Sequence, residues 1–265
     1  MMILRSMVLA TVACMTATGF AQATQPPAPA PAAPAAPPAG AAPAPVDAAK
    51  QIATMQAKVN DWPQLGRYRD ADAALPAPAA GEERVVFFGD SITDAWANKP
   101  EQFFPGKPYV GRGISGQTTP QMLVRFQQDV VHLKPAVVVI LAGTNDIAGN
   151  TGPSTPEMIE DNFLSMLEIA QANNIRVVVS SILPADHYSW RPGAQPAEQI
   201  RAMNARLRAM CEREHLVYLD YYSAMANAKG GLDPELAGDG VHPTAKGYAV
   251  MAPLAEKAIA EALAK

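Results

Sequence analysis

Cysteine is nearly absent from this 265-residue chain. The two cysteines are Cys14 and Cys211, and Cys14 lies in an N-terminal stretch with the marks of a cleaved export signal. Removing that stretch leaves Cys211 alone, so no intramolecular disulfide can brace the chain. Cys211 falls in a helical pattern with no His or Asn motif beside it, which reads as a small core residue and not as a catalytic thiol. Charge is scarce as well: 17% of residues are charged and the net charge is −4. That balance gives no reason to expect nucleic acid as a partner. The N-terminal apolar stretch, Met7 to Met15, is too short for a comfortable membrane span, so no stable insertion is expected after signal removal. What the chain does have is a hydrophobic content of 49%, enough for a large packed interior, and stability has to come from there.

Residues 1–23 read as a secretory signal: Arg5 is the positive n-region, and Ala21-Gln22-Ala23 is a small-x-small cleavage site. The expected destination is the periplasm or the exterior. A retained anchor is the competing reading. Lipid attachment at Cys14 is disfavoured by Thr11, a poor residue three positions before a lipidated cysteine. Residues 24–46 are almost entirely Pro and Ala and are expected to be an extended, disordered spacer. Residues 47–81 read as a helical preface, because Ile52, Met55, Val59 and Trp62 recur at helical spacing. Leu65 and Tyr68 carry that face on toward Leu75, and the face is expected to pack onto the main domain, residues 82–265.

From Arg84 onward strand and helix patterns alternate. Strands are predicted at Arg84 to Phe88, Tyr109 to Arg112, Ala136 to Ala142, Ile175 to Ile182 and Val217 to Leu219. Val137 to Leu141 and Val177 to Val179 are unbroken apolar runs, as expected for parallel strands covered on both faces. Helices are predicted at Ile92 to Asn98, Pro120 to Leu133, Pro156 to Asn173, Pro196 to His215 and Thr244 to Ala264. Thr119 and Thr155 precede prolines as N-cap candidates. No internal repeat is visible. The order predicts an α/β fold, a three-layer α/β/α sandwich around a five-stranded parallel sheet.

Four short polar runs follow predicted strands: Gly89-Asp90-Ser91-Ile92, Gly113-Ile114-Ser115-Gly116, Gly143-Thr144-Asn145-Asp146 and Asp239-Gly240-Val241-His242. Parallel sheets place ligand sites at the carboxyl ends of their strands, so all four loops should converge. Together they hold the parts for acyl transfer by a serine. Ser91 is the candidate nucleophile; its alternative role is helix N-cap. His242 is the candidate base and Asp239, three residues earlier, the acid that sets its tautomer. The alternative there is a turn followed by an N-cap, and His187 is the competing base. Ser91 and Gly116 backbone N–H groups and the Asn145 amide are candidate oxyanion donors. Gly116 could instead simply form a tight turn, and Asn145 an Asx-turn. Asp90 and Asp146 read as structural, because a carboxylate beside an oxyanion opposes catalysis; local backbone N–H groups are their expected partners.

These four runs resemble the signature blocks of the SGNH hydrolases, the GDSL esterase/lipase family, with Ser91, Gly116, Asn145 and His242 at the namesake positions and Asp239 as the acid. The likeness covers Arg84 to about Ala264. It implies a flavodoxin-like sandwich of strand order 2-1-3-4-5 and a serine hydrolase of esters that needs no metal or cofactor. The G-x-S-x-G elbow of the α/β-hydrolases is absent. His187, Tyr188 and Trp190, in the loop after the fourth strand, suit a sugar face or polar ester, with plain loop packing as the alternative. The expected activity is removal of a small acyl group, acetyl foremost, from a carbohydrate or similar polar alcohol. Lysophospholipase or thioesterase chemistry is the alternative, and a non-catalytic carbohydrate-binding envelope protein a more distant one.

Overall fold

The computed structural model describes residues 48–265; the expected signal and spacer lie outside the described residues. Five parallel strands, β1 Val85–Gly89, β2 Tyr109–Gly113, β3 Val137–Leu141, β4 Arg176–Ser180 and β5 Val217–Leu219, form one sheet of order β2-β1-β3-β4-β5. Helices α1 Ala48–Asn60 and α2 Arg69–Ala74 precede the sheet. Then α3 Ser91–Ala97 follows β1, α4 Thr119–Asp129 follows β2, and α5 Thr144–Ala148 with α6 Pro156–Ala172 follows β3. Helix α7 Ala197–Arg213 follows β4, and α8 Tyr222–Met225 with α9 Ala245–Ala264 follows β5. The flavodoxin-like sandwich is therefore present.

The apolar strand runs divide by period two. Val86, Phe88, Val138, Ile140, Val177 and Val179 face Met122, Phe126, Phe163, Met166 and Leu207 of α4, α6 and α7. Val85, Phe87, Val137, Val139, Leu141 and Val178 face Ile92, Trp96, Met251, Ala255 and Ile259 of α3 and α9. Successive side chains point to opposite faces, so a strand covered twice must be apolar at every position. Cys211 belongs to the first layer, and burial pushes its thiol up to about 12.

Register decides what meets at the functional edge. Strand β1 pairs residue for residue with both neighbours, so Gly89, Gly113 and Leu141 stand abreast where the chain leaves the sheet. Gly113 is needed for close approach: a Cβ there would lie 2.2 Å from the Asp94 nitrogen and 2.7 Å from the Asp90 oxygen. The first turn of α3 can thus sit directly against β2.

A buried guanidinium braces this edge. Arg125 is fully buried and pairs with Asp129 at 2.9 Å. It also donates to Gly89 O and Arg112 O at 2.9 Å and to Gln117 Oε1 at 2.5 Å. Its fork lies 4.1 Å from the centre of the Phe88 ring.

Several expectations need correction. The apolar face of α1 is not packed: Ile52, Met55 and Val59 are 66%, 64% and 74% exposed. The chain that follows α1 is held by polar contacts instead. Gln117, Gln121 and Gln128 side-chain amides donate to Pro63 O, Trp62 O and Leu65 O at 2.7, 2.7 and 2.8 Å. Tyr68 donates to Gly113 O, and Arg112 reaches Asp72 at 2.7 Å. An irregular backbone needs donors for its carbonyls, and three glutamines supply them. The N-cap of α4 is Thr118, not Thr119, with the Gln121 side chain accepting from Thr118 N at 3.1 Å. Thr119 cannot serve because its hydroxyl donates to Asp146 at 2.6 Å. Thr155 does cap α6, accepting from Met158 N at 3.3 Å. The predicted helix to Leu133 ends at Asp129 and gives way to a short 3₁₀ turn, Val131–Leu133.

Replacing Arg125 by Met leaves Asp129 buried without its cation and strips two strand-end carbonyls of their donor. A loss of about 3–5 kcal/mol in folding free energy is expected, read from urea unfolding. An unchanged unfolding midpoint would rule out the bracing role.

Candidate active site

Ser91 is the first residue of α3, with Asp90 alone between it and the end of β1 at Gly89. Capping falls to Asp90, whose carboxylate accepts from Ile92 N at 3.0 Å. The alternative of Ser91 as N-cap is thereby removed, and its hydroxyl is turned to another partner. Ser91 Oγ lies 2.8 Å from His242 Nε2. The other ring nitrogen, His242 Nδ1, lies 2.7 Å from Asp239 Oδ2. The remaining Asp239 oxygen accepts from His242 N at 2.7 Å and Val241 N at 3.0 Å. The Asp–Gly–Val–His run thus folds back on itself, and the Asp239 carboxylate and the His242 ring are set within one turn. Burial alone would raise the Asp239 carboxyl, but the bonds from His242 and Val241 outweigh it and hold it below the usual carboxylate range. Asp239 is therefore ionised near neutrality, which favours the proton on Nδ1 and leaves Nε2 as acceptor toward Ser91.

The expected oxyanion donors converge on the same cavity, which is lined by Ser91, Ser115, Gly116, Asn145, Asn150, Trp190 and His242 and encloses about 370 Å³. Gly116 has φ +81, a left-handed conformation, and its surroundings are open. Its N–H meets no acceptor among the described residues. Asn145 is buried; its amide donates to Gln117 O at 3.0 Å, with Asp90 Oδ2 farther off at 3.3 Å. Its oxygen accepts from Asn150 Nδ2 at 2.8 Å.

Asn150 is a residue that the motifs do not reveal. It fixes the Asn145 amide and also accepts from Trp190 Nε1 at 3.1 Å, tying two walls of the cavity together. Nothing in its local sequence separates it from an ordinary loop asparagine. Asp94 is similarly hidden. It accepts from Ser115 Oγ at 2.8 Å and lies 3.5 Å from Arg67, anchoring the loop that carries Gly116.

Asp90 and Asp146 have the expected structural partners only in part. Asp90 caps its own helix locally, and burial pushes its carboxyl up to about 7. Asp146 instead reaches across to α4, accepting from Thr119 N at 3.0 Å and its hydroxyl at 2.6 Å, and burial raises its carboxyl too. Its Thr119 partners lie across the fold, beside the local bond from its own backbone N–H.

Of the three loop residues expected at the substrate, one reaches the cavity. Trp190 lines it. Tyr188 is 2% exposed and lies beneath Trp190, ring centres 4.8 Å apart, so it supports the indole and cannot meet a ligand. Burial raises its hydroxyl, which has no hydrogen-bond partner among the described residues. His187 pairs with Asp186 at 2.6 Å and rests its ring against Gly240, and it is not among the residues lining the Ser91 cavity. The competing base is thus turned to another carboxylate. Among the described residues, no group of three or more His, Cys, Asp and Glu side chains is placed to hold a metal ion.

Known proteins resemble this chain in sequence and fold. Residues 87–250 match the model of the GDSL-like lipase/acylhydrolase family. A candidate acylhydrolase of Bacteroides fragilis, solved by crystallography, is 46% identical with a TM-score of 0.74, over 76% of this chain and 98% of that one. A GDSL-like lipase of Bacteroides thetaiotaomicron is 42% identical with a TM-score of 0.73 over the same shares. The acetylxylan esterase of Geobacillus stearothermophilus is 26% identical over 200 residues, 64% of this chain and 90% of that protein. With the matched segment spanning β1 to the first turns of α9, the chain belongs to the GDSL-like lipase/acylhydrolase family.

Proposed function

We propose that the protein is a serine esterase that removes small acyl groups, acetyl foremost, from a carbohydrate or similar polar alcohol. The observation that carries the reading is the unbroken relay from Ser91 Oγ to His242 at 2.8 Å and on to Asp239 at 2.7 Å. His242 Nε2 takes the Ser91 proton as the oxygen attacks the ester carbonyl. Asp239 steadies the imidazolium that forms. The C–O bond to the alcohol breaks, and His242 returns the proton to the leaving oxygen. Water then attacks the acyl-serine by the reverse path, releasing the acid and restoring the hydroxyl.

Negative charge on the carbonyl oxygen is met by the Ser91 and Gly116 N–H groups and by the Asn145 amide. The weaker 3.3 Å contact of that amide to Asp90 is the one an oxyanion would replace. Each such donor is worth about 3 kcal/mol of the barrier. The raised Asp90 carboxyl helps, since its protonated form does not repel the oxyanion.

The cavity supports a small acyl group. Among its lining residues only Trp190 is a large apolar side chain. A long acyl chain gains about 0.8 kcal/mol per buried CH₂, and here it would find little to be buried against. The acetylxylan esterase relative agrees with an acetyl substrate on sugar. Export, as read from residues 1–23, is part of the same proposal, and no helix among the described residues is long and apolar enough to cross a membrane.

Ser91→Ala should lower kcat on p-nitrophenyl acetate by about 10⁴-fold or more. Equal rates for the two proteins would remove the enzyme reading. Asp239→Asn should fold normally and slow the same reaction on the order of 10⁴-fold; a full rate would move the acid's role to another residue. Across p-nitrophenyl esters, kcat/KM should fall from acetate to octanoate, and a rise with chain length would replace this reading with a lipolytic one.

A further inference from the structure

A second cavity of about 880 Å³ adjoins the catalytic one. Its outer wall is made by Thr54, Lys58, Trp62 and Arg67, from α1 and the segment after it. Its inner wall includes Ser115, Gly116 and Asn150, which also line the catalytic cavity. The two spaces therefore meet at these three residues, and a ligand reacting at Ser91 need only pass Gly116 to reach the larger one. Residues 54–67 lie outside the segment matched to the family, residues 87–250.

We infer that this groove, walled by α1 and Trp62, binds the sugar residues next to the acetylated one, so that the preferred substrate is an acetylated oligosaccharide. The inference rests on the esterase reading above. Three observations carry it. The first is chemistry. Hydroxyls, amides and charged tips of both signs, among them Lys58, Asp61, Gln121 and Thr151, line the space around a single indole. A polyhydroxylated, uncharged chain can satisfy such a lining, and its C–H faces can rest on the indole. A fatty chain would meet only Trp62 and the small Ala57 as apolar side chains, and an anion would meet Asp61 as well as the cations. The second is geometry. Trp62 and Trp190 are 42% and 40% exposed, one lining each cavity. The third is rigidity. Trp62 O is held by Gln121 at 2.7 Å and the adjacent Pro63 O by Gln117 at 2.7 Å, while Arg67 and Ser115 share Asp94. A wall fixed before the ligand arrives saves ordering entropy on binding.

The test compares kcat/KM of the full chain on mono-O-acetylated xylose, mono-O-acetylated xylotetraose and p-nitrophenyl acetate. The last reports the state of the catalytic cavity in each variant. In the unaltered protein the tetraose should be preferred to the monosaccharide by about tenfold or more, and Trp62→Ala should bring that ratio near one, mainly through KM. Ala57→Trp, at an exposed α1 position lining the groove, should do the same by filling it, whether or not the first variant folds well. Trp62→Phe should restore part of the preference. Tetraose and monosaccharide turned over equally by the unaltered protein, or a preference within twofold of unaltered in both blocking variants, would overturn the groove and leave the esterase reading standing. No turnover of either sugar, with p-nitrophenyl acetate still cleaved, would overturn the carbohydrate reading, and the groove's occupant with it.

Discussion

The guanidinium of Arg125 is the constraint around which the functional edge is organised. It is fully buried, and its donors are spent on the ends of two strands, on the Gln117 side chain and on Asp129. A buried charge is tolerated only when every donor is satisfied, so these partners are held to one geometry. Gly89 O precedes Ser91 by two residues, and Gln117 follows Gly116 directly. One cation thus sets the spacing of the proposed nucleophile loop and the proposed oxyanion loop. A flexible lysine at that position could not hold carbonyls on two strands at once, because it lacks the planar fork.

Around that fixed point, carboxylates in different surroundings are pushed in opposite directions. Asp239 is only partly buried and takes N–H donors on both oxygens, so it is held below its ordinary range. Asp90, fully buried, is pushed up to about 7. The ionised one stands behind the imidazole, where positive charge would develop. The one that resists ionisation stands beside the Asn145 amide, where negative charge would develop. Placement by solvent access separates their roles although both lie close to the same serine.

The segment between α1 and the sheet is attached by a different principle from the rest of the molecule. Core helices bury apolar faces, but residues 62–65 are held by glutamine amides on their carbonyls. Such bonds are directional, so they position Trp62 and Arg67 beside the Gly116 loop more sharply than apolar contact would. That leaves the Ile52, Met55 and Val59 face of α1 exposed while its other side lines the groove.

Both apolar layers and the four converging loops were legible in the residues, because each depends on short-range patterns: period-two burial, turn-forming glycines and polar runs at strand ends; the strand order came only with the family resemblance. The Asp239–His242 turn was legible for the same reason, its aspartate and histidine being three residues apart. The cap at Thr118 was not, since it depends on Asp146 claiming the neighbouring threonine from across the fold. Nor was the sorting of Tyr188 beneath Trp190, where two aromatics two residues apart divide between core and cavity. Composition and local spacing determined by themselves that this is a parallel α/β sandwich carrying a serine, a histidine and an aspartate at its strand ends. Only tertiary structure decided that Asn150 orients Asn145, that Asp94 anchors the Gly116 loop and that Trp62 walls the approach, because each of those relations joins side chains whose separation in the sequence carries no periodic or motif signal.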